Sequence, residues 1–329
     1  MSQANSTNTA PLVSIGLPVY NGERFIKQAI NSILAQTFQD FELIISDNTS
    51  TDKTEEICQE YAQKDKRIRY YRNEQNLGAA LNYDRTFHLS RGKYFKWAAH
   101  DDVLAPTFLA QTVEVLENNP FVVSCHAQTV LINAEGYTIS DSDDACIASL
   151  DQAKQFDSTK PHQRYREILS LRMCFNVFGL MRADNFRKTS LHGAYYGSDK
   201  VLLAELSLMG SLIEIPEPLF FNRRHSHQSA SLRTVQEREN WIGSRKKYPK
   251  FISPRFLCIK GYLYAIFKYD LSLLERLACL IIFSKWFIRV DNWQRLILNV
   301  LGQLRKDSHA PDPLSSVVIS SLSKQEIDG

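Results

Sequence analysis

Between residues 12 and 99 the chain alternates short apolar, β-branched runs with amphipathic stretches, and this alternation constrains the fold more than any other feature. Residues 12–19 (L-V-S-I-G-L-P-V) read as a buried strand closed by a Tyr20-Asn21-Gly22 turn. Residues 24–36 carry Phe25, Ile26, Ala29, Ile30, Ile33 and Leu34 at helical spacing, which covers one face. The pattern then recurs as strand 41–46, polar turn 47–52 and helix 54–64, and again as strand 68–72, loop 73–78 and helix 79–90. A fourth strand, 94–99, runs straight into His100-Asp101-Asp102. Such units with short connections predict an α/β fold built on a doubly wound parallel sheet, whose ligands bind at the carboxyl ends of the strands. The polar turns after Val19, Ser46 and Ala99 are therefore expected on one rim.

Downstream, the periodicity predicts a helix over 106–117, a strand over 121–126 with a partner over 129–133, and a long polar loop over 141–160. A helix over 165–171, a strand over 176–181 and a helix over 199–209 ended by Gly210 follow. Residues 212–215 and 218–222 read as two short strands. At about 150 residues per domain, 329 residues suggest two domains or one large domain with an appendage. The division read from the sequence is a flexible leader (1–11), a main α/β unit (12–234), a basic amphipathic helical extension (235–307) and a loosely ordered tail (308–329).

With 44% hydrophobic and 23% charged residues, a disordered or low-complexity chain is excluded. The net charge of +3 is too mild for a nucleic-acid binder, but residues 233–306 hold fifteen Lys/Arg against five Asp/Glu. The six cysteines form no CxxC pair and predict neither a zinc site nor a disulfide frame. The leader has no basic start or apolar stretch, so cytoplasm is the expected compartment. No run reaches the ~18 apolar residues of a membrane span; residues 277–288 are too few and include Lys285.

Two acidic clusters carry the chemistry. Asp101 and Asp102 follow a strand directly, where paired carboxylates suit a hard divalent cation; the rival reading is that they cap the next helix. Asp47, with Ser50 and Asp52, also follows a strand, where a carboxylate can bond a base or ribose, and Asp52 has a rival role as a helix cap. No GxGxxG follows a strand and no GxxxxGK[ST] occurs, which removes the main support for nicotinamide-binding and P-loop readings.

Four ordered motifs carry a resemblance: P-V-Y-N-G-E at 18–23, S-D-N-T-S-T-D-K-T at 46–54, N-L-G at 76–78 and H-D-D at 100–102. In order and spacing they resemble a family 2 glycosyltransferase of the GT-A fold, over roughly residues 12–227. The resemblance implies transfer of a sugar from a nucleotide-diphosphate donor, commonly a UDP-sugar, with inversion at the anomeric carbon. It further implies that Pro18, Tyr20 and Glu23 line the nucleotide pocket, that Asp47 bonds the base, and that Asn76 and Gly78 pass close to the donor. Asp102 matches the last acid of the DXD motif and is the implied metal ligand, with Asp101 on ribose or metal. His100 stands where the first acid of that motif often lies, a departure from the family pattern.

The family's general base resembles Asp199, in G-S-D-K-V-L-L-A-E-L; a helix cap is the rival role, and Glu205 is a weaker candidate base. Arg223 and Arg224 resemble the basic segment that closes over the diphosphate, with His225, or else His227, completing the shell of a Mn²⁺ or Mg²⁺ ion; a solvated basic surface is the rival reading. Residues 175–182 fall on the acceptor side, and the implied acceptor is a saccharide or lipid-linked hydroxyl in polysaccharide or glycolipid assembly. In the extension, residues 256–267 and 271–288 are amphipathic to strongly apolar, with Lys268, Arg276, Lys285 and Arg289 placed to snorkel. They suit either peripheral contact with the inner face of a membrane or packing on the catalytic unit or a second copy. A non-catalytic nucleotide-sugar-binding or assembly protein is the alternative function. A nucleotidyltransferase lacks its glycine- and lysine-rich phosphate loop here.

Overall fold

A computed structural model describes residues 10–139, 156–171, 173–243 and 253–288. Most of the leader, residues 141–155 of the long loop, residues 244–252 and 289–307 of the extension and the whole tail lie outside the described residues. The first half runs β1 (Val13–Val19), α1 (Ile26–Leu34), β2 (Phe41–Asp47), α2 (Thr54–Lys64), β3 (Ile68–Arg72), α3 (Ala79–His88) and β4 (Tyr94–Trp97). Then come β5 (Val103–Leu104), α4 (Phe108–Asn118), β6 (Val122–Ile132), α5 (Pro161–Ser170), a 3₁₀ turn (Phe175–Phe178), β7 (Leu180–Arg182) and α6 (Ala183–Arg187). The second half closes with α7 (Ser198–Met209), β8 (Ser211–Arg223), α8 (Val235–Ile242), α9 (Pro254–Lys268) and α10 (Leu273–Ile288).

The strands form one eight-stranded sheet in the order β3-β2-β1-β4-β7-β6-β8-β5. β1 pairs in parallel with β2 and β4, and β2 with β3, so the turns after these strands share one edge as the alternation predicts. β7 runs antiparallel to β4 and β6, β6 and β8 are parallel, and β5 is antiparallel to β8. The fold is thus mixed α/β with a mostly parallel sheet flanked by helices.

β1 and β2 are buried along their whole length because helices cover both faces of the sheet. Val13, Ile15, Leu17 and Val19 face the core beneath α1, and each such buried side chain contributes about 1.5–3 kcal/mol. Phe95 and Trp97 face the opposite core with Phe87, Phe186 and α7, as the alternation of a strand requires. At Gly16 a Cβ would lie 2.2 Å from the Thr86 hydroxyl, so only glycine lets α3 approach β1 this closely. Pro18 is tolerated in a central strand because the pairing of β1 with β4 ends at Gly16, so its missing N–H leaves no ladder bond unmade.

Three sequence expectations are corrected. Residues 121–126 and 129–133 are not a pair of strands but one eleven-residue strand, β6. Residues 212–215 and 218–222 are likewise one thirteen-residue strand, β8. Pro216 and Glu217, which read as a break, bulge out where the register shifts from Ala127↔Ile215 to Gln128↔Pro218. Residues 176–181 divide into the 3₁₀ turn and the short β7, where a Cβ at Gly179 would meet the Cys125 carbonyl at 2.8 Å.

The extension packs on the catalytic unit through its inner face. Tyr262, Ala265 and Ile266 of α9 and Cys279 of α10 are buried with α5 and α7, and Gly261 seats against Val201. The Tyr165 hydroxyl donates to the Tyr262 carbonyl at 3.1 Å, and Glu275 accepts from the His162 backbone N–H at 3.0 Å. α8 covers the start of α3, with Gly243 against Gly78. Among the described residues no helix is long and apolar enough to cross a membrane.

Candidate active site

The rim at the carboxyl ends of β1, β2 and β4 is held by side chains bonded to neighbouring backbone. The Asn21, Gly22 and Glu23 N–H groups donate to Ser50 Oγ (2.9 Å), Thr54 Oγ1 (2.8 Å) and Asp52 Oδ2 (3.0 Å). Glu23 Oε2 in turn accepts from the Lys53 N–H at 2.9 Å. The 46–54 motif therefore braces the 18–23 turn, and Asp52 spans both loops, because it also accepts from the Thr54 N–H. Tyr20 stays 47% exposed above this brace.

Asp47 is fully buried at the end of β2. Its Oδ1 accepts from the Ser50 N–H at 2.8 Å, and its Oδ2 from the Tyr70 hydroxyl at 2.8 Å and from Arg72 at 3.2 Å. A carboxylate has about four acceptor sites, so this set leaves room for one further donor. Asn76 Oδ1 accepts from Asn48 Nδ2 at 3.0 Å and from the Gly78 N–H at 2.9 Å. Gly78 has φ +84°, and a Cβ there would meet Gly243 Cα at 2.6 Å. Behind the loop, Asn73, Asn48, Asn82 and Ser46 form a buried hydrogen-bonded chain, which the sequence reading did not single out.

At the end of β4 the two adjacent acids have different surroundings. Asp101 Oδ2 meets His225 Nε2 at 2.9 Å, and the His225 ring lies 4.7 Å from that of Phe25. Burial pushes the Asp101 carboxyl up, but the charge of His100 and the hydrogen bond from His225 outweigh it and hold the group below its ordinary value. Asp102 instead accepts from Asn222 Nδ2 at 3.1 Å and from the Arg223 N–H at 2.9 Å. Burial and the neighbouring Asp101 charge push the Asp102 carboxyl up. Of the two acids, Asp101 is thus the one whose carboxylate faces His225, while Asp102 turns to Asn222 and the Arg223 backbone. His100 packs its ring against Gly22, where a Cβ would be 2.7 Å away.

Asp102 also borders a small cavity lined by Lys96, Ala98, Leu104 and Phe220. Lys96 is fully buried, donates to the Phe178 carbonyl and lies 4.5 Å from the Phe108 ring centroid. Burial brings its ammonium down to about 7.

Arg223, expected on a diphosphate, is 1% exposed and already committed. It donates to the carbonyls of Asp101 (2.8 Å), Asn133 (3.1 Å) and Ala134 (2.9 Å) and to Gln28 Oε1 (2.6 Å), which makes it a clamp behind the acids. Arg224 lies 5.7 Å over the Phe175 ring, and its charge opposes the upward shift at Asp102. His227 donates its backbone N–H to His225 Nδ1 at 3.3 Å, which orients the imidazole.

Asp199 sits in the first turn of α7 and does not cap it: the cap is Gly197, at φ 90°. Its Oδ1 accepts from the Lys200 N–H at 2.8 Å, and its Oδ2 makes no hydrogen bond among the described residues. Glu205, the rival base, is fully buried and accepts from the Ser190 hydroxyl at 2.9 Å and from Lys268 at 3.0 Å, so it anchors the loop before α7 to α9. In that loop Leu191 is held at φ 54°, a left-handed conformation uncommon for a branched residue, and His192 bonds Ser198 Oγ at 2.8 Å. Tyr83 of α3 lies within electrostatic reach of Asp101, Asp102 and Asp199 together. Neither Tyr83 nor His192 was legible as a site residue, since each occupies an unremarkable position in its element. Asn222 adjoins the basic motif and was findable there.

Carboxylate, imidazole and amide-oxygen donors of this kind can hold a divalent cation. The Asp101 carboxylate and the His225 imidazole face each other, and the buried Asn222 Oδ1 lacks a partner among the described residues. Among those residues no three His, Cys, Asp or Glu side chains form a metal cluster. Ions of the Mg²⁺ kind are commonly held by one or two carboxylates and completed by substrate phosphates.

Residues 14–188 match the pattern of glycosyl transferase family 2. An uncharacterized glycosyltransferase of Rickettsia typhi is 30% identical over 268 residues, 77% of this chain and 76% of its own length. An uncharacterized glycosyltransferase of Haemophilus influenzae is 29% identical over 70% of each chain. Among solved structures, S. aureus TarS 1–349 in complex with UDP superposes with a TM-score of 0.58 at 14% identity, covering 88% of this chain and 79% of its own. The mannosyltransferase PcManGT of Pyrobaculum calidifontis, in complex with GDP-Man and Mn²⁺, gives a TM-score of 0.56 at 12% identity, covering 97% and 81%. The extent of the family match, the Rickettsia relative and the shared sheet make this chain a member of glycosyl transferase family 2, a glycosyltransferase with the GT-A fold.

Proposed function

We propose that the chain transfers a sugar from a nucleoside-diphosphate donor, a UDP-sugar foremost, to a hydroxyl of a saccharide or lipid-linked acceptor in polysaccharide or glycolipid assembly, with inversion. The observation that carries this reading is the set of acids within electrostatic reach of Tyr83: Asp101, paired with His225, and Asp199, whose Oδ2 makes no hydrogen bond among the described residues. Asp47, Tyr20 and the 73–78 loop would receive the nucleoside. Asp101 and His225 would hold a divalent cation, Mn²⁺ or Mg²⁺, which when bound neutralises charge on the departing diphosphate. Asp199 accepts the acceptor hydroxyl's proton as that oxygen bonds the anomeric carbon and the diphosphate leaves with the electrons of the broken C–O bond. One carboxylate suffices, since inversion is a single displacement. TarS was solved with UDP and with UDP-GlcNAc and PcManGT with GDP-Man, which favours a nucleotide donor here too.

The test is a thermal-shift panel of UDP, GDP, CDP, dTDP and ADP, each with Mn²⁺, Mg²⁺ or chelator. A binder present at 100 times its dissociation constant stabilises the fold by about 2.7 kcal/mol. A metal-dependent rise in melting temperature with one base, UDP foremost, is expected; no rise with any of them would overturn the donor assignment.

We also infer that the outer faces of α9 and α10 meet an anionic lipid surface. Phe256, Lys260, Leu263, Tyr264 and Phe267 recur at helical spacing on α9 and are exposed; Leu273, Leu274, Leu277, Ile281, Lys285 and Ile288 do so on α10. Leu273 and Leu274 are 71% and 79% exposed, apolar area that water does not favour, and the exposed charges on the two faces, Lys260 and Lys285, are basic, with Asp270 exposed in the turn between the helices. The chain should co-sediment with phosphatidylglycerol vesicles, and a Leu273→Ser/Leu274→Ser/Leu277→Ser variant should lose most of that binding. Concentration-dependent dimerisation that buries this face, with no vesicle binding, would overturn the lipid reading.

A further inference from the structure

Tyr83 is fixed by its ring and its backbone. The ring lies 5.4 Å from Trp97, edge-on at 79°, and 5.4 Å from His192, stacked at 23°. Its carbonyl accepts from Trp97 Nε1 at 3.0 Å, and the next residue, Asp84, accepts the His192 N–H at 2.8 Å. His192 is hydrogen-bonded to Ser198, next to Asp199. The aromatic group is thus part of the wall that joins α3 to the start of α7. Its hydroxyl, by contrast, makes no hydrogen bond with any described residue. Burial, together with the charges of Asp101, Asp102 and Asp199, keeps the phenol well above its ordinary pKa, so it carries its proton at neutral pH and can donate.

A displacement at an anomeric carbon sets the geometry. The leaving diphosphate and the attacking hydroxyl lie on opposite sides of the transferred sugar, so the sugar must occupy the space between the Asp101–His225 pair and Asp199. We propose that the Tyr83 hydroxyl, whose ring is held against Trp97 at the end of β4 and against His192 beside the start of α7, donates a hydrogen bond to the sugar being transferred, making Tyr83 a contact that reads the sugar rather than the nucleotide. This inference rests on the glycosyl-transfer reading of the same site.

The experiment compares Tyr83→Phe with the wild-type chain by calorimetry with UDP and UDP-GlcNAc, and with GDP and GDP-mannose, in Mn²⁺. Phenylalanine keeps the ring contacts with Trp97 and His192. A lost hydrogen bond to substrate costs roughly 0.7–1.4 kcal/mol, about threefold to tenfold in affinity. Tyr83→Phe is therefore expected to bind the nucleoside diphosphate as the wild type does and its nucleotide sugar about threefold to tenfold more weakly. An unchanged ratio of the two affinities, or an equal loss of both, would overturn the sugar contact while leaving the donor site standing. A wild-type chain that binds neither nucleotide nor nucleotide sugar would overturn the glycosyl-transfer reading itself, and this inference with it.

Discussion

Asp199→Asn is expected to retain donor affinity and to lose turnover by about 100-fold or more. Asp199 is a first-turn residue of a helix capped by Gly197; one carboxylate oxygen holds the Lys200 N–H of that turn, and the other makes no hydrogen bond among the described residues. The amide has the same shape and can keep the contact with the Lys200 N–H, but it cannot take a proton. General-base catalysis typically supplies 10²- to 10⁴-fold, which sets the size of the loss. The measurement is a steady-state assay with the donor found by the nucleotide panel, alongside calorimetric donor binding. Near-normal turnover in this variant would move the base elsewhere. Glu205 is not the natural successor, because Ser190 and Lys268 already occupy its buried carboxylate.

The second large effect separates two neighbouring acids. Asp101→Asn is expected to abolish the part of donor affinity that depends on metal, about 100-fold, because the ion neutralising the diphosphate is worth several kcal/mol. In chelator the variant should bind UDP as the wild type does in chelator, since Asp47 and the rim brace are untouched. The geometry behind this is the 2.9 Å contact of Asp101 with His225, whereas Asp102 is bonded to Asn222 and to the Arg223 backbone. If Asp101→Asn keeps the metal increment and Asp102→Asn loses it, the motif position outranks the apo geometry and Asp102 is the ligand.

The contrast between these acids marks how far the sequence could be read. Apolar runs of alternating type predicted β1 to β4 and their helices because strand and helix periods differ, and short connections leave few ways to assemble them. The same local logic failed at 127–128 and 216–217, where Gln128, Pro216 and Glu217 read as breaks. There the partner strand decided, since β6 and β8 continue past a bulge that only their pairing makes tolerable.

In the site, the sequence singled out the clusters but not the contacts among their side chains. Asp47, Asp101, Asp102, Asp199, Arg223 and His225 are all strand-end or helix-start residues, and such positions are visible from local pattern alone. Which acid meets His225 depends on a contact between residues 124 apart in the chain, and no local pattern encodes that. Arg223 is likewise a basic residue in a basic motif until the fold surrounds it with carbonyls and turns a phosphate ligand into a clamp. Tyr83 looked like one more residue of an amphipathic helix. The alternation of residue types thus determined β1 to β4 and the rim, and the four ordered motifs pointed to the family. The pairing of side chains across that rim was decided by tertiary structure, because hydrogen bonds and charge interactions act over a few ångströms in space, whatever the distance along the chain.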